Sequence, residues 1–228
     1  MNTGRASIGK NKQPVPIRIA CSTKRIGLTA GASGIFDHSS SRRHSNENVD
    51  KKSELQKLRG AAIRKYFVQN WQEVWFFPSY EEVPGVRGFM GTGPIFFVSI
   101  NPSFGTYPSK PDLFYYRNLK KQGFQNAHLT DVFKVKCKNE NVKALLENRN
   151  LLREMEEILK KEIAIVRPKV IVGVGLSYEK LYRHIFGKYN VTLLTIPHYA
   201  PQFNSASKQK QFSERLRMVR ETLESTVP

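Results

Sequence analysis

The chain has 228 residues, 39% of them hydrophobic, with 37 Lys and Arg against 19 Asp and Glu, a net charge of +18. That length suits one ordinary domain with an extension, and so large a surplus points to a polyanionic partner, nucleic acid ahead of an anionic membrane. Two cysteines, Cys21 and Cys137, are too few for a zinc ribbon or a four-cysteine cluster, and no apolar run is long enough to span a bilayer.

Residues 1–49 are rich in Ser, Gly, Asn and basic side chains, with too little apolar surface to offset the entropy of ordering. They read as a disordered basic tail able to add phosphate contacts. The tail does not hold all the charge. Residues 1–52 carry ten Lys or Arg against three acids, which leaves +11 for residues 53–228. The tail lacks the apolar stretch of a secretory signal, and Gly, Pro and Asn interrupt the pattern of an organellar transit peptide. With so few cysteines, a reducing intracellular setting is expected, cytoplasm with nucleoid or nucleus.

Residues 50–228 read as one domain. Leu55, Leu58, Ala62, Ile63, Tyr66 and Phe67 recur at helical spacing, with Asp50 or Ser53 as cap. An aromatic stretch over 71–77 and a Gly/Pro loop over 83–94 follow. Short apolar runs then predict strands over 95–100, 127–133, 170–174 and 191–196. Between and after them, amphipathic patterns predict helices over 113–122, 147–166, 177–186 and 205–223. Pro168 stops the second of these, and Ser177 caps the third. Strands alternating with helices predict an α/β three-layer sandwich around a central, mostly parallel four-stranded sheet.

Open parallel sheets bind ligands outside the carboxyl ends of their strands. Those ends carry Asn101-Pro102-Ser103, then Asp131 with Lys134, then His198. Polar, chemically able residues therefore fall where this architecture puts a pocket. Gly173-Val174-Gly175 also follows a strand, but Tyr178 stands where a dinucleotide-binding loop needs its third glycine. A P-loop is excluded, because no Gly-Lys-Ser/Thr run exists.

The same segments resemble the uracil-DNA glycosylase superfamily. Phe97-Val-Ser-Ile-Asn-Pro-Ser103 is similar to its first motif in the Gly-Ile-Asn-Pro-Gly form, and His198-Tyr-Ala-Pro201 to its second, His-Pro-Ser-Pro. Leu129-Thr-Asp-Val-Phe-Lys134 resembles a Thr-Asn-Val-Val-Lys strand of the iron–sulfur branch, whose cysteines this chain lacks. Arg167-Pro-Lys-Val-Ile-Val-Gly-Val-Gly175 resembles the strand before that branch's next helix. Order and spacing agree over roughly residues 80–223.

The resemblance implies a monofunctional DNA glycosylase that flips a uracil or related deaminated or modified base and hydrolyses its N-glycosidic bond, with no metal or cofactor. It implies that Asn101 orients the attacking water and that His198 donates to the departing base. It places Ser103, Phe114 and Asp131 around the base, Phe114 as the stacking ring with Tyr107, Tyr115 and Tyr116 as rivals. Gln202 and Phe203 fall where a side chain fills the gap in the duplex, and Lys208, Lys210, Arg215 and Arg217 where phosphates are gripped. DNA is the implied partner, no membrane contact is expected, and like-charge repulsion favours a monomer.

Two departures bear on the substrate. Ser103 is small where the uracil-specific branch has a Tyr that blocks 5-methyl groups. Asp131 replaces an Asn that reads the uracil edge, and an ionised carboxylate would repel uracil O4. A different base, a protonated Asp131 or lost activity each accommodates that change. The alternative function is a non-catalytic nucleic-acid-binding module with the same fold.

Overall fold

A computed structural model of the chain describes residues 39–68, 74–80, 83–102, 105–136 and 142–226. Most of the expected tail lies outside the described residues, as do Cys21, Ser103 and Cys137. The fold is α/β, with a four-stranded, all-parallel sheet in the order β2-β1-β3-β4. The strands are β1 (Ile95–Ser99), β2 (His128–Asp131), β3 (Val170–Val174) and β4 (Thr192–Ile196). The helices are α1 (Ser39–Val68), α2 (Lys110–Lys121), α3 (Val142–Glu147), α4 (Arg149–Val166), α5 (Glu179–Phe186), α6 (Tyr199–Gln202) and α7 (Ala206–Thr226).

Alternation along the strands assigns the layers. Ile95 and Phe97 of β1 and Val170, Val172 and Val174 of β3 pack with Tyr115, Leu119, Phe212 and Leu216 of α2 and α7. Phe96 and Val98 of β1 and Ile171 of β3 pack with Leu55, Tyr66, Met155, Leu159 and Phe186 of α1, α4 and α5. The sheet is thus covered on both faces, which explains why β1 and β3 are apolar at nearly every position. Each large side chain fully buried this way contributes roughly 1.5–3 kcal/mol.

Helix boundaries follow local chemistry. Ser109 and Asp112 form a capping box at the start of α2, with Pro111 in its first turn. A helix expected over 147–166 is interrupted at Asn148, whose side chain accepts from the Leu151 amide at 3.0 Å and so starts α4 afresh. Arg167, left-handed at φ 57°, ends α4 before Pro168. Ser177 does not cap α5; a 3-10 turn, Leu176–Tyr178, precedes that helix instead. Helix α1 begins at Ser39, eleven residues ahead of the expected boundary, so Asp50 and Ser53 lie within it. No helix among the described residues is long and apolar enough to cross a membrane.

The order β2-β1-β3-β4 sets the position of the crevice. Strand β1 leads through α2 to one side of itself, and β3 leads through α5 to the other. The chain therefore diverges between the carboxyl ends of β1 and β3, the switch point at which such sheets bind ligands. Backbone bonds extend the register just past the strands: Val132 N–H reaches Ser99 O and Gly175 N–H reaches Ile196 O, both at 2.8 Å.

Gly173, central in β3, faces the Tyr182 ring so closely that a Cβ there would lie 2.2 Å from its Cδ2. Tyr182 is fully buried and its hydroxyl donates to Val174 O at 3.0 Å, so the ring cannot swing away. Gly173→Ala should therefore destabilise the fold by about 1–3 kcal/mol, the usual cost of overpacking a core. Urea unfolding checks this: a lower midpoint is expected, and an unchanged one would mean that the ring moves freely.

Candidate functional site

A cavity of about 430 Å³ opens at the switch point, within the roughly 300–1,000 Å³ of small-molecule sites. All four strand ends contribute to it. Asn101 follows β1, Asp131 closes β2, Gly175, Ser177 and Tyr178 follow β3, and His198 and Tyr199 follow β4. Asp112 reaches it from the first turn of α2. Trp75 and Phe77 are brought in by pairing of residues 74–75 with the chain beyond β2, where Trp75 N–H donates to Lys134 O at 2.8 Å.

The residues expected to do chemistry, Asn101 and His198, line this one cavity although 97 residues of sequence separate them. Asn101 Nδ2 donates to Pro102 O at 3.0 Å, which fixes the plane of its amide. His198 Nδ1 accepts from the Ala200 amide at 3.3 Å, so the ring's proton resides on Nε2 and can be donated to a ligand. Burial holds this imidazole below its ordinary value, with Asp112 opposing the effect. His198 is therefore neutral at pH 7.

Beside His198 the aromatic rings are locked. Tyr199 stacks on His198 at 4.4 Å and on Tyr115 at 4.5 Å, the latter pair within 3° of parallel. Its hydroxyl donates to Asp112 Oδ1 at 2.9 Å, while Asp112 Oδ2 accepts from the Ser109 amide and hydroxyl at 2.8 and 2.6 Å. Asp112 therefore caps α2 and anchors Tyr199 at once. Tyr107 lies on the cavity wall, stacked on Tyr80 at 4.6 Å and edge-on to Trp75 at 4.5 Å. Lys136, also on the wall, lies 5.2 Å above the Trp75 ring.

Asp131 is 2% exposed, and its Oδ2 has no hydrogen-bond partner among the described residues. The nearby cation is committed elsewhere. Lys134 Nζ donates to Thr130 Oγ1 at 2.6 Å and to the Asp131 main-chain carbonyl, and it lies 3.1 Å from Glu162 Oε1. That last contact is a charge contact without hydrogen-bond alignment. His128 of β2 is fully buried, with Nε2 3.3 Å from Glu162 Oε2 and Nδ1 3.2 Å from Gly91 O. Burial alone would raise Glu162, but Lys134 and His128 hold its carboxyl below the ordinary value. Asp131 goes the other way. Burial pushes its carboxyl up to about 7; Lys134 opposes this, and Glu162 and Asp112 add to it.

The remaining expected residues divide. Ser103 lies outside the described residues. Phe114 is not on the cavity wall; its ring packs on Phe212 at 5.5 Å and Phe203 at 5.9 Å. Its helical position turns it toward α7, and of its three rivals Tyr107 lines the cavity. Phe203 and Gln202 are half-buried beyond the wall. Lys208, Lys210 and Arg215 are exposed on α7 without ion pairs among the described residues, whereas Arg217 pairs with Glu221 and Arg220 with Glu224. Sequence reading missed Asp112 and Tyr199, although the Ser109-x-x-Asp112 spacing announces a capping box.

The buried acid has a consequence for stability that does not depend on function. A carboxyl raised from 3.8 to about 7 on folding stabilises the fold fully below pH 4 relative to higher pH. That contribution, roughly 4 kcal/mol, is lost as pH rises through 7. Asp131→Asn should flatten this dependence, so thermal melts at about pH 5 and pH 8 should differ less in the variant than in the native chain. Equal pH sensitivity in both would show that Asp131 ionises freely.

Neither the family models nor the curated proteins compared with the chain give a match.

Proposed function

We propose that the chain is a base-excision enzyme of the DNA glycosylase type, hydrolysing the N-glycosidic bond of a flipped uracil or related deaminated or modified base. The single observation that carries this reading is the convergence of Asn101 and His198 on one cavity at the switch point, with Asp131 beside them and tyrosine rings forming the wall. A cavity of about 430 Å³ accepts a base with part of its sugar. The likeness of the two motifs to uracil-DNA glycosylases supports the same reading.

Hydrolysis of this bond builds positive charge on the sugar and negative charge on the departing base. Asn101 is suited to hold a water against the sugar; an amide is no strong base, but the electrophilic sugar needs a positioned nucleophile more than a deprotonated one. His198, neutral and with its proton on Nε2, is suited to donate to the oxygen on which the base accumulates charge. A preorganised donor in a secluded site contributes about 3–4 kcal/mol to such a step. The exposed, unpaired Lys208, Lys210 and Arg215 supply cations for phosphates.

One observation favours the non-catalytic alternative. Phe203, expected to fill the gap in the duplex, packs its ring against Phe114. A binder of nucleic acid needs no such wedge.

Single-turnover excision on oligonucleotides bearing uracil, thymine opposite guanine, hypoxanthine or 5-hydroxymethyluracil separates the two. Asn101→Ala and His198→Ala should each slow excision by about 10²–10³-fold while leaving DNA affinity nearly intact. Absence of product from every substrate, with binding retained, would establish the binder. Affinity should also fall steeply between about 50 and 200 mM salt, as counterion release requires. A flat titration would remove nucleic acid as the partner.

A further inference from the structure

Asn101 and His198 stand on supports of unequal stiffness. Asn101 leaves β1, a central strand whose pairing runs on past its end, with Phe133 N–H on Ile100 O at 2.8 Å. His198 leaves β4, an edge strand, and caps α6, a single turn of four residues. A helix that short does not hold itself together in water, because its first turn fixes several dihedrals for one hydrogen bond. Contacts from outside α6 keep it wound.

Tyr199, the first residue of α6, donates its hydroxyl to Asp112 Oδ1 at 2.9 Å. The Ser109 amide and hydroxyl hold Asp112 Oδ2 at 2.8 and 2.6 Å, so the carboxylate cannot turn to follow a loosened α6. One residue beyond Tyr199, the Ala200 N–H donates to His198 Nδ1 at 3.3 Å, the bond that leaves the imidazole proton on Nε2. An unwound α6 carries the Ala200 amide away, and the imidazole then loses the donor that chooses its tautomer. We propose that Asp112 is a positioning residue of the site: acting through the Tyr199 hydroxyl it keeps α6 wound, so that the Ala200 amide keeps the His198 proton on Nε2. The proposal rests on the excision reading only in taking that proton as the one donated to a departing base.

The residue type and its place suit that task. A carboxylate accepts at both oxygens, whereas an amide accepts at one, and here one oxygen faces Ser109 and the other Tyr199. Helix α2 is a firm reference, twelve residues long and packed by the buried Tyr115, Tyr116 and Leu119. The Tyr199 ring lies against Tyr115 at 4.5 Å and His198 at 4.4 Å, but stacked rings slide over one another at little cost. A hydroxyl on a fixed oxygen sets distance and direction together. Asp112 thus gives the edge-strand side of the site the stiffness that continued strand pairing gives Asn101.

The test variant is Tyr199→Phe in the full chain, which keeps both stacks and the Ser109–Asp112 capping box and removes only the tether. Imidazole nitrogen NMR at about pH 8, where histidine is neutral, reads the tautomer without any reaction. Native His198 should show one protonated and one bare nitrogen, and in Tyr199→Phe the two resonances should draw together as the tautomers exchange. Single-turnover excision should slow about 10- to 100-fold in Tyr199→Phe, as a small displacement of a reacting group causes, with duplex affinity retained. In a His198→Ala background the same change should cost under about twofold, because a residue acting through His198 has nothing left to act on. Asp112→Asn, whose amide oxygen still accepts from Tyr199, should retain more activity than Asp112→Ala. Unchanged His198 resonances in Tyr199→Phe would overturn the proposal, as would a full further loss in the His198→Ala background. An equal loss in Asp112→Asn and Asp112→Ala would overturn it too, by assigning the effect to charge. Tautomer exchange in Tyr199→Phe, in a chain that excises no base from any oligonucleotide, would count against the catalytic reading alone.

Discussion

Strand β1 is hydrogen-bonded along both edges, to β2 and to β3, and all five of its side chains are buried. A strand so placed must be apolar on both faces, and the chain must leave it at its carboxyl end, where pairing with neighbours stops. Strand β3 is under the same constraint beside it. Because β1 is followed by a crossover to one side and β3 by a crossover to the other, nothing fills the space between their ends. The cavity is therefore a product of topology before it is a product of side chains. Whatever residues follow the strands become its walls.

Two acids meet that cavity in contrasting states. Asp112 is satisfied three times over, by the Ser109 amide, the Ser109 hydroxyl and the Tyr199 hydroxyl. It ties the start of α2 to α6 and fixes the tyrosine that supports His198. Asp131 has an unsatisfied oxygen in a fully buried position. A buried ion pair is weak support for stability, since desolvation offsets much of the attraction. The Lys134 charge, hydrogen-bonded to the Asp131 main chain and paired with Glu162, opposes the effect of burial on the Asp131 carboxyl without cancelling it.

The tyrosines give the site its rigidity. Tyr115, Tyr199 and His198 form a stacked column, and Tyr107 is held between Tyr80 and Trp75. Ring pairs of this kind add about 0.5–1.5 kcal/mol each beyond the area they bury. Four hydroxyls are directed to fixed acceptors, Tyr107 to Tyr116, Tyr116 to Pro78 O, Tyr182 to Val174 O and Tyr199 to Asp112. A flat ligand entering the cavity therefore meets walls that are already ordered, which lowers the entropic cost of binding it.

The sequence by itself determined the strands, the parallel sheet and the strand ends on which Asn101, Asp131 and His198 stand. Hydrophobic runs and their spacing are local properties, and the rule that ligands bind beyond strand ends needs only their order. The split of the helix at Asn148 was open to reading as well, because Asn is a capping residue. The tertiary structure alone decided which side chains share the cavity and what charge they bear. Phe114 and Tyr107 are equally aromatic and close in sequence, yet one packs under α7 and the other reaches the wall, since helical phase and the path of the loop set their directions. Nothing in the sequence joins His128 to Lys134 until Glu162, 28 residues beyond Lys134, is brought against both. The state of Asp131 was least legible of all, because a carboxyl's charge depends on solvent and partners that distant segments remove or supply.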